Sequence, residues 1–353
     1  MKSFADRAMD AIDSRQNIAC VGLDPRLDLI PSFLKEDALA KHGETFDAVA
    51  ACYSDFNRRI IDAIKDTVAL VKPQMAFYEA YGAPGIRAFQ DTVDYAKSSG
   101  LLVIEDAKRN DIGSTAEAYS KGHIGEVEFW NGTTRVYDVD AITVSPYLGS
   151  DGVVPFLNDC RDHGKGIFVL VKTSNPSSGQ LQDLLSIVSH PRLKEMQQGL
   201  ADDGTYLLLA KEQNLSEANG TTVAPNYVSM ALRVKEWGDT MLGERGYSSV
   251  GAVVGATYPR EASVLRKIMP KTYFLVPGYG AQGGSAADVM PCVNPDGYGA
   301  IVSSSRGIVY AYRAEPFCHE HSEDAFERAA TEAAIAMTED LSRAMKAAGK
   351  YPW

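Results

Sequence analysis

Short, continuous apolar runs alternate along the chain with longer segments that mix apolar and polar residues. Each run spans four to six residues and lacks the apolar–polar alternation of a strand that has one face in water. The runs therefore predict strands that are buried on both faces. The eight runs lie at residues 18–23, 68–71, 101–104, 141–144, 166–171, 250–254, 273–276 and 298–302.

Apolar residues at helical spacing occupy most of the intervals between these runs. Residues 45–66 and 84–98 each place their apolar side chains on one helical face, and a C-terminal helix is predicted at about 322–349. Eight strands separated by helices close most simply as a (β/α)8 TIM barrel, which is an α/β fold. A doubly wound open sheet is the alternative, and the absence of G-x-G-x-x-G after the first run disfavours it.

The chain shows no linker or internal repeat that would divide it, so we expect one barrel domain over residues 1–353. Residues 178–247, between the fifth and sixth runs, are longer than one crossover helix requires, which predicts an insertion. Within this insertion, residues 214–226 are polar and contain glycine, asparagine and proline, a composition typical of a mobile loop.

The balance of charge narrows the classes of partner. The 46 acidic residues exceed the 35 basic ones and give a net charge of −11. This charge disfavours nucleic acid and anionic membranes, so an anionic ligand requires local cations. The five cysteines show no paired spacing, which predicts free thiols in a reducing compartment. No signal peptide or membrane-spanning stretch is visible, and we expect a soluble, cytoplasmic protein.

The third apolar run leads directly into a dense group of charges. Asp106 and Lys108 are two residues apart, so on an extended chain their side chains lie on the same side. Asp111 follows on the outgoing turn, and Lys72 ends the second run, where an unpaired ammonium would be costly. We expect Asp106 and Asp111 to be the candidate partners of Lys72. The alternative is an ion network that only caps a strand or closes the barrel mouth.

A glycine-rich segment follows the seventh run, and an arginine follows the eighth. Residues 277–284 contain four glycines whose backbone amides can approach an anion, and Arg306 can hold it with a forked guanidinium at a helix start. Because barrel enzymes commonly bind phosphate at this position, we expect a phosphate site. The alternative is that the glycines only turn the chain and that Arg306 pairs with a neighbouring acid.

Other catalytic chemistries lack their residue patterns in this sequence. The chain has no G-x-S-x-G nucleophile elbow and no H-E-x-x-H motif, and its six histidines fall outside the strand ends. A Schiff-base lysine at Lys72 or Lys108 is disfavoured because flanking aspartates keep a lysine protonated. The remaining polar residues at strand ends include Asp24, Ser174 and Gln282.

These segments together resemble one known family, the orotidine 5'-phosphate decarboxylases in their longer bacterial form. Residues 106–116 match the family signature D-x-K-x-x-D-I followed by a threonine, although D-x-K-x-x-D alone recurs in related sugar-phosphate barrels. The chain departs from the family pattern at 178–227, which is longer than expected, and at Ser305, where some members carry glycine. Further matches occur in the same order at residues 72–73, 173–176, 254–257, 277–284 and 305–306.

The resemblance implies decarboxylation of orotidine 5'-monophosphate to uridine 5'-monophosphate and CO2, a carboxy-lyase reaction of pyrimidine biosynthesis that uses no metal or cofactor. It implies that Lys108 stabilises and then protonates the carbanion at C6 of the pyrimidine. Asp106 would lie near the leaving carboxylate, while Lys72 and Asp111 would hold Lys108 and contact the ribose.

The resemblance also implies how the substrate is bound. Asp24 and Thr115 would contact the ribose, and Ser174 would contact the pyrimidine edge. Gln282 and Arg306 would hold the phosphate, with residues 278–284 acting as a lid. A homodimer is implied, in which Asp111 and Thr115 of one chain complete the site of the other.

Two other functions stay open at this point. A related barrel enzyme that acts on a sugar phosphate, such as a hexulose-phosphate synthase, would use the same four charged residues together with a divalent metal. Glu105 is the candidate ligand for that metal. The non-enzymatic alternative is a barrel that binds and senses a nucleotide, although binding alone does not require two lysines and two aspartates in one pocket.

Overall fold

A computed structural model describes residues 1–187, 223–280 and 282–353 of the chain. Eight parallel strands form a closed barrel in chain order, and the last strand pairs with the first through Ala19 and Val302. This closure confirms the predicted TIM barrel and excludes an open sheet. The barrel strands are β1 (Ala19–Leu23), β2 (Leu70–Pro73), β3 (Leu102–Arg109), β4 (Ala141–Val144), β5 (Gly166–Lys172), β6 (Ser248–Val254), β7 (Thr272–Val276) and β8 (Ala300–Ser304).

Helices connect the strands and bury one face each. In the helix Phe46–Ile64, for example, Phe56 and Ile60 are buried, and the side chain of Thr45 caps the first turn. The α-helices span Phe4–Arg15, Ser32–His42, Phe46–Ile64, Met75–Glu79, Gly82–Ser98, Gly113–His123, Ser150–His163, Gly179–Gln182, Asn226–Gly238, Pro259–Ile268, Ala286–Val289, Arg306–Val309 and Phe326–Ala347. Short 3-10 helices span Pro176–Ser178, Met290–Cys292, Ala311–Arg313, Phe317–His319 and Glu323–Ala325.

Most of the continuous apolar runs correspond to strands that are buried along their whole length. Every residue of β1, β4, β6, β7 and β8 is buried. Strand β3 is longer than its apolar run, because it continues through the charged residues to Arg109. It can do so because Asp106 receives ionic and hydrogen-bonding partners from neighbouring strands instead of from water.

The long connection between β5 and β6 contains several elements of its own. Leu185–Ile187 pairs antiparallel with Val223–Pro225, and the helix Asn226–Gly238 then packs against β6. That helix buries Val228 and Leu232, the face expected from its sequence. Most of the polar stretch predicted as a mobile loop, residues 214–226, lies outside the described residues.

Two further features of the fold are its free cysteines and its C-terminal helix. Cys20, Cys52, Cys160 and Cys292 are buried free thiols, and Cys318 is partly buried and also free. The helix Phe326–Ala347 packs against the helix Phe46–Ile64. None of the helices in the described ranges combines the length and apolarity that crossing a bilayer requires.

Candidate active site

A cavity of about 640 Å³ opens at the carboxyl ends of the barrel strands. This is the end at which barrel enzymes build their active sites, because the loops that follow the strands converge there. Seven side chains that the sequence singled out line this cavity together. They are Asp24, Lys72, Asp106, Lys108, Ser174, Gln282 and Arg306.

Asp106 is the centre of the charged part of the cavity. Its Oδ2 accepts hydrogen bonds from Nζ of Lys72 at 2.9 Å and from Nε2 of Gln74 at 3.0 Å. Its Oδ1 accepts from Nζ of Lys108 at 2.6 Å and from the hydroxyl of Thr143 at 3.0 Å. A carboxylate offers about four lone-pair sites, so these four donors satisfy it completely.

The ionic partners of Asp106 outweigh the cost of its burial. Burial raises the pKa of the Asp106 carboxyl, but the charges and hydrogen bonds of Lys72 and Lys108 hold that pKa well below its ordinary value. Burial lowers the pKa of Lys72, but the negative charges of Asp106 and Asp24 raise it above its ordinary value. Both groups of this pair are therefore charged throughout the neutral pH range.

Lys72, Asp106 and Lys108 form the charged set of the cavity, and Lys108 is its most accessible member. Its side chain is 45% exposed, whereas that of Lys72 is only 8% exposed. The ammonium of Lys108 is held by Asp106 at one side and is open to the cavity at the other. It can therefore reach a bound molecule and act on it as a proton donor.

The opposite side of the mouth carries the glycine-rich loop and Arg306. Because β3 and β7 face each other across an eight-stranded ring, the loop after β7 lies across from the charged set. Gly278 and Gly280 in this loop have φ values of 98° and 69°, which favour glycine. Arg306 is exposed at the cavity and has no carboxylate within ion-pair distance among the described residues. This disfavours the alternative in which Arg306 only pairs with a neighbouring acid.

Asp24 presents an unsatisfied acceptor at the edge of the cavity. Its Oδ1 is buried and has no hydrogen-bond partner in the described part of the chain. The backbone around it is held by Tyr310, whose hydroxyl donates to the Asp24 carbonyl at 3.0 Å and accepts from the Arg26 amide at 2.6 Å. A fixed, unpaired carboxylate oxygen suits a ligand that carries hydroxyl donors.

Ser174 reaches the cavity because a glycine lies against its backbone. A Cβ at Gly255 would come within 2.8 Å of the Ser174 Cα, closer than real contacts allow. Gly22 has the same relation to Ser305, whose Cβ would lie 2.6 Å from a Cβ at Gly22. The side chain of Ser305 is therefore accommodated by the glycine opposite it.

Two predicted site residues do not enter the cavity of their own chain. Asp111 is half-buried on the turn after β3, and its Oδ1 accepts a hydrogen bond from the Ile112 amide at 2.8 Å. Thr115 is exposed on the helix Gly113–His123. Neither lines the cavity. The expectation that Asp111 pairs with Lys72 therefore does not hold within one chain, because the turn leads away from the barrel mouth.

Glu105 is not available as a metal ligand in this cavity. It is fully buried on the outer side of β3, where Oε2 lies 2.7 Å from Nδ1 of His123. Neighbouring residues of a strand point to opposite sides, so Asp106 faces inwards and Glu105 outwards. Within the described ranges, metal-ligand atoms of three side chains come together at Glu320, His321 and Glu332, which do not line the cavity.

Several residues that line the cavity were not singled out from the sequence. Gln74 and Thr143 donate to Asp106, and Gln182 hydrogen-bonds both the amide and the hydroxyl of Thr173 beside Ser174. The position of Gln74, directly after the end of β2, is the one signal that could have revealed its role. Thr143 lies within an apolar run, and Gln182 lies within the insertion.

A family model described as the orotidine 5'-phosphate decarboxylase / HUMPS family matches residues 19–316. A relative from Rhodopirellula baltica, named orotidine 5'-phosphate decarboxylase, is 41% identical over 97% of this chain and 99% of its own length. The chain belongs to the orotidine 5'-phosphate decarboxylase family. This confirms the family and the carboxy-lyase class that the sequence motifs predicted.

Other members of the orotidine 5'-phosphate decarboxylase family support the same assignment. A relative of that name from Caldicellulosiruptor bescii is 38% identical over 89% of this chain and 91% of the relative. The structure of Leishmania donovani OMP decarboxylase aligns with a TM-score of 0.65 and 27% identity, and covers 97% of this chain and 98% of that one. The similarity therefore extends over the barrel and its connections.

Proposed function

We propose that this protein decarboxylates orotidine 5'-monophosphate to uridine 5'-monophosphate and CO2, without a metal or cofactor, as a step of pyrimidine biosynthesis. The observation that carries the proposal is the convergence of Lys72, Asp106 and Lys108 in one cavity that also presents Gln282 and Arg306. The charged set can stabilise charge that develops on a reacting carbon, and the glycine-rich loop together with Arg306 can bind a phosphate.

The reaction requires positive charge at a fixed place. When the bond between C6 and the carboxylate breaks, CO2 leaves and the bonding electron pair remains on C6. No carbonyl group takes up this pair, so the carbanion depends on a preorganised cation in a site that excludes water. The Lys108 ammonium stabilises the pair and then donates a proton to C6, which forms uridine 5'-monophosphate. The neutral amine regains its proton from solvent.

Asp106 and Lys72 keep Lys108 in the position that this step needs. The Asp106 carboxylate holds the Lys108 ammonium at 2.6 Å and is itself fixed by Lys72 at 2.9 Å. Because Asp106 stays ionised in the neutral range, its negative charge holds the Lys108 side chain at a fixed place in the cavity. The substrate carboxylate lies beside Asp106 before it departs as CO2.

The remaining residues bind the parts of the substrate that do not react. Arg306 and Gln282 hold the phosphate, and Ser174 hydrogen-bonds the pyrimidine edge. At the ribose, Asp24 accepts hydrogen bonds from the hydroxyl groups and Lys72 donates hydrogen bonds to them. Binding energy from the distant phosphate is realised in the transition state when the 278–284 loop closes over the cavity.

We also infer a homodimer in which Asp111 and Thr115 complete the partner's site. Exposed apolar side chains beside these residues support it: Ile112 is 51% exposed and Tyr147 is 75% exposed. The segment after Tyr147 adjoins the same turn, since a Cβ at Gly152 would lie 2.8 Å from the Asp111 carbonyl oxygen. A second copy would bury this patch and bring Asp111 to the neighbouring cavity.

The direct test is to add orotidine 5'-monophosphate to the purified protein with excess chelator and to follow the absorbance of the orotate ring. We expect the absorbance to fall, with uridine 5'-monophosphate formed in equal amount. Activity that returns only with a divalent metal would favour the sugar-phosphate type of chemistry. Nucleotide binding without turnover would favour a sensor, and either result contradicts the proposal.

A further inference from the structure

The backbone of strand β3 is distorted where it carries the charged set. Glu105 of β3 pairs with Ile142 of β4, and Arg109 of β3 pairs with Val144 of β4. Three residues of β3 lie between these two pairs, but on β4 only Thr143 does. Residues 106–108 of β3 therefore face a single residue of β4. Bulges of this kind re-aim side chains and often lie beside active sites, and here the bulge directs Lys108 into the cavity.

Lys108 occupies a backbone conformation that rarely suits its residue type. Its φ is 50°, in the left-handed region that normally favours glycine. A lysine keeps this unfavourable backbone conformation only when contacts with surrounding residues hold it there. The bulge also interrupts the regular ladder, so the Lys108 amide needs a hydrogen-bond acceptor other than a strand carbonyl.

The hydroxyl of Thr143 supplies that acceptor. The Lys108 amide donates to Thr143 Oγ1 at 2.9 Å, and the same oxygen lies 3.0 Å from Asp106 Oδ1. The carboxylate of Asp106 is ionised and can only accept, so the single hydroxyl proton of Thr143 points to it. One hydroxyl therefore joins the backbone of Lys108 to the carboxylate that holds the ammonium of Lys108.

We propose that Thr143 is a positioning residue, which fixes the backbone of Lys108 and thereby the place of its ammonium against C6 of the substrate. The role of the ammonium rests on the proposed function, whereas the backbone contact does not. Thr143 suits the task because it is 1% exposed on β4, and its branched Cβ restricts the side chain to few rotamers. The contact is thus present before substrate binds.

Thr143→Val tests this inference, because valine keeps the shape and removes the hydroxyl. We expect kcat to fall about 10- to 100-fold, the scale of a misplaced catalytic group. The affinity for uridine 5'-monophosphate should change less than about threefold, since Thr143 is not among the residues that bind the nucleotide. Thr143→Ser, which restores the hydroxyl, should recover most of kcat.

Hydrogen exchange of the Lys108 amide gives a readout that needs no turnover. We expect exchange at this amide to be at least about tenfold faster in Thr143→Val than in wild type, and near wild type in Thr143→Ser. Gln74→Met is the matched control, because it removes one donor to Asp106 and leaves the Lys108 amide bonded to Thr143. Exchange at Lys108 should be unchanged in that control.

The outcomes separate the two proposals. If wild type does not convert orotidine 5'-monophosphate, the proposed function fails, and the exchange data still decide whether Thr143 holds Lys108. Unchanged exchange at Lys108 in Thr143→Val overturns the positioning role. With an active wild type, a kcat within twofold of wild type in Thr143→Val, or equal losses in Thr143→Val and Thr143→Ser, also overturns it.

Discussion

Tyr310→Phe removes one oxygen atom from the support of Asp24. The Tyr310 hydroxyl donates to the Asp24 carbonyl at 3.0 Å and accepts from the Arg26 amide at 2.6 Å, so it fixes the turn after β1. The ring itself is buried and stacks on Phe56 with a centroid distance of 5.6 Å. Phenylalanine keeps this packing, and the substitution therefore opens no cavity.

The size of the effect follows from the two lost hydrogen bonds. Each is worth about 0.5–1.5 kcal/mol net, so the free energy of unfolding should fall by about 1–3 kcal/mol. If roughly half of that free energy, about 0.5–1.5 kcal/mol, appears as displacement of Asp24, kcat/KM for orotidine 5'-monophosphate falls about 2- to 12-fold, since about 1.4 kcal/mol corresponds to tenfold. Urea unfolding and steady-state turnover measure the two quantities on the same preparation.

Tyr312→Phe is the matched control for this variant. The Tyr312 hydroxyl also makes two hydrogen bonds, to the Leu29 carbonyl and from Nε of Arg313, but neither partner is Asp24 or Arg26. It should lose similar stability while kcat/KM stays near wild type. Equal losses of kcat/KM in both variants, or none in Tyr310→Phe, would refute the role of Tyr310 in placing Asp24.

Three further predictions concern the phosphate, the pyrimidine and the partner chain. Arg306→Ala should lower kcat/KM for the nucleotide about 10²-fold or more, which corresponds to a few kcal/mol of lost transition-state stabilisation. It should hardly change kcat/KM for the nucleoside without phosphate, and equal losses for both would place Arg306 outside the phosphate site. Gly255→Ala should lower kcat/KM about tenfold, because its Cβ would lie 2.8 Å from the Ser174 Cα, and wild-type activity would mean that Ser174 is not held by this contact. Mixing Lys108→Ala and Asp111→Ala homodimers with verified subunit exchange should restore about a quarter of native activity, and no recovery would contradict the shared site.

The barrel and much of its site could be predicted because both depend on local pattern. Each strand contains an apolar run, and such a run is fully buried only in a sheet that is covered on both faces. Asp24, Lys72 and Lys108 each follow or end such a run. Carboxyl ends of parallel strands share one edge, so these side chains had to meet. This rule does not predict the path of the chain after β3 ends at Arg109. The sequence therefore did not determine where Asp111 lies.

Thr143 and Gln182 show what such patterns leave out. Thr143 lies in a buried run of four residues and is indistinguishable there from an ordinary β-branched strand residue. Its contacts depend on the irregular register between β3 and β4, which is a property of two distant segments. Gln182 acts through Thr173, and that contact depends on how the insertion folds back over β5.

Turnover by Lys108→Ala tests most directly whether the Lys108 ammonium stabilises and protonates the carbanion at C6. We expect kcat to fall at least about 10³-fold, while the affinity for uridine 5'-monophosphate stays measurable, because the ammonium acts mainly in the transition state. Lys41→Ala, which removes an exposed lysine paired with Asp37, should behave as wild type. A Lys108→Ala protein that keeps a tenth of the native kcat would contradict the account.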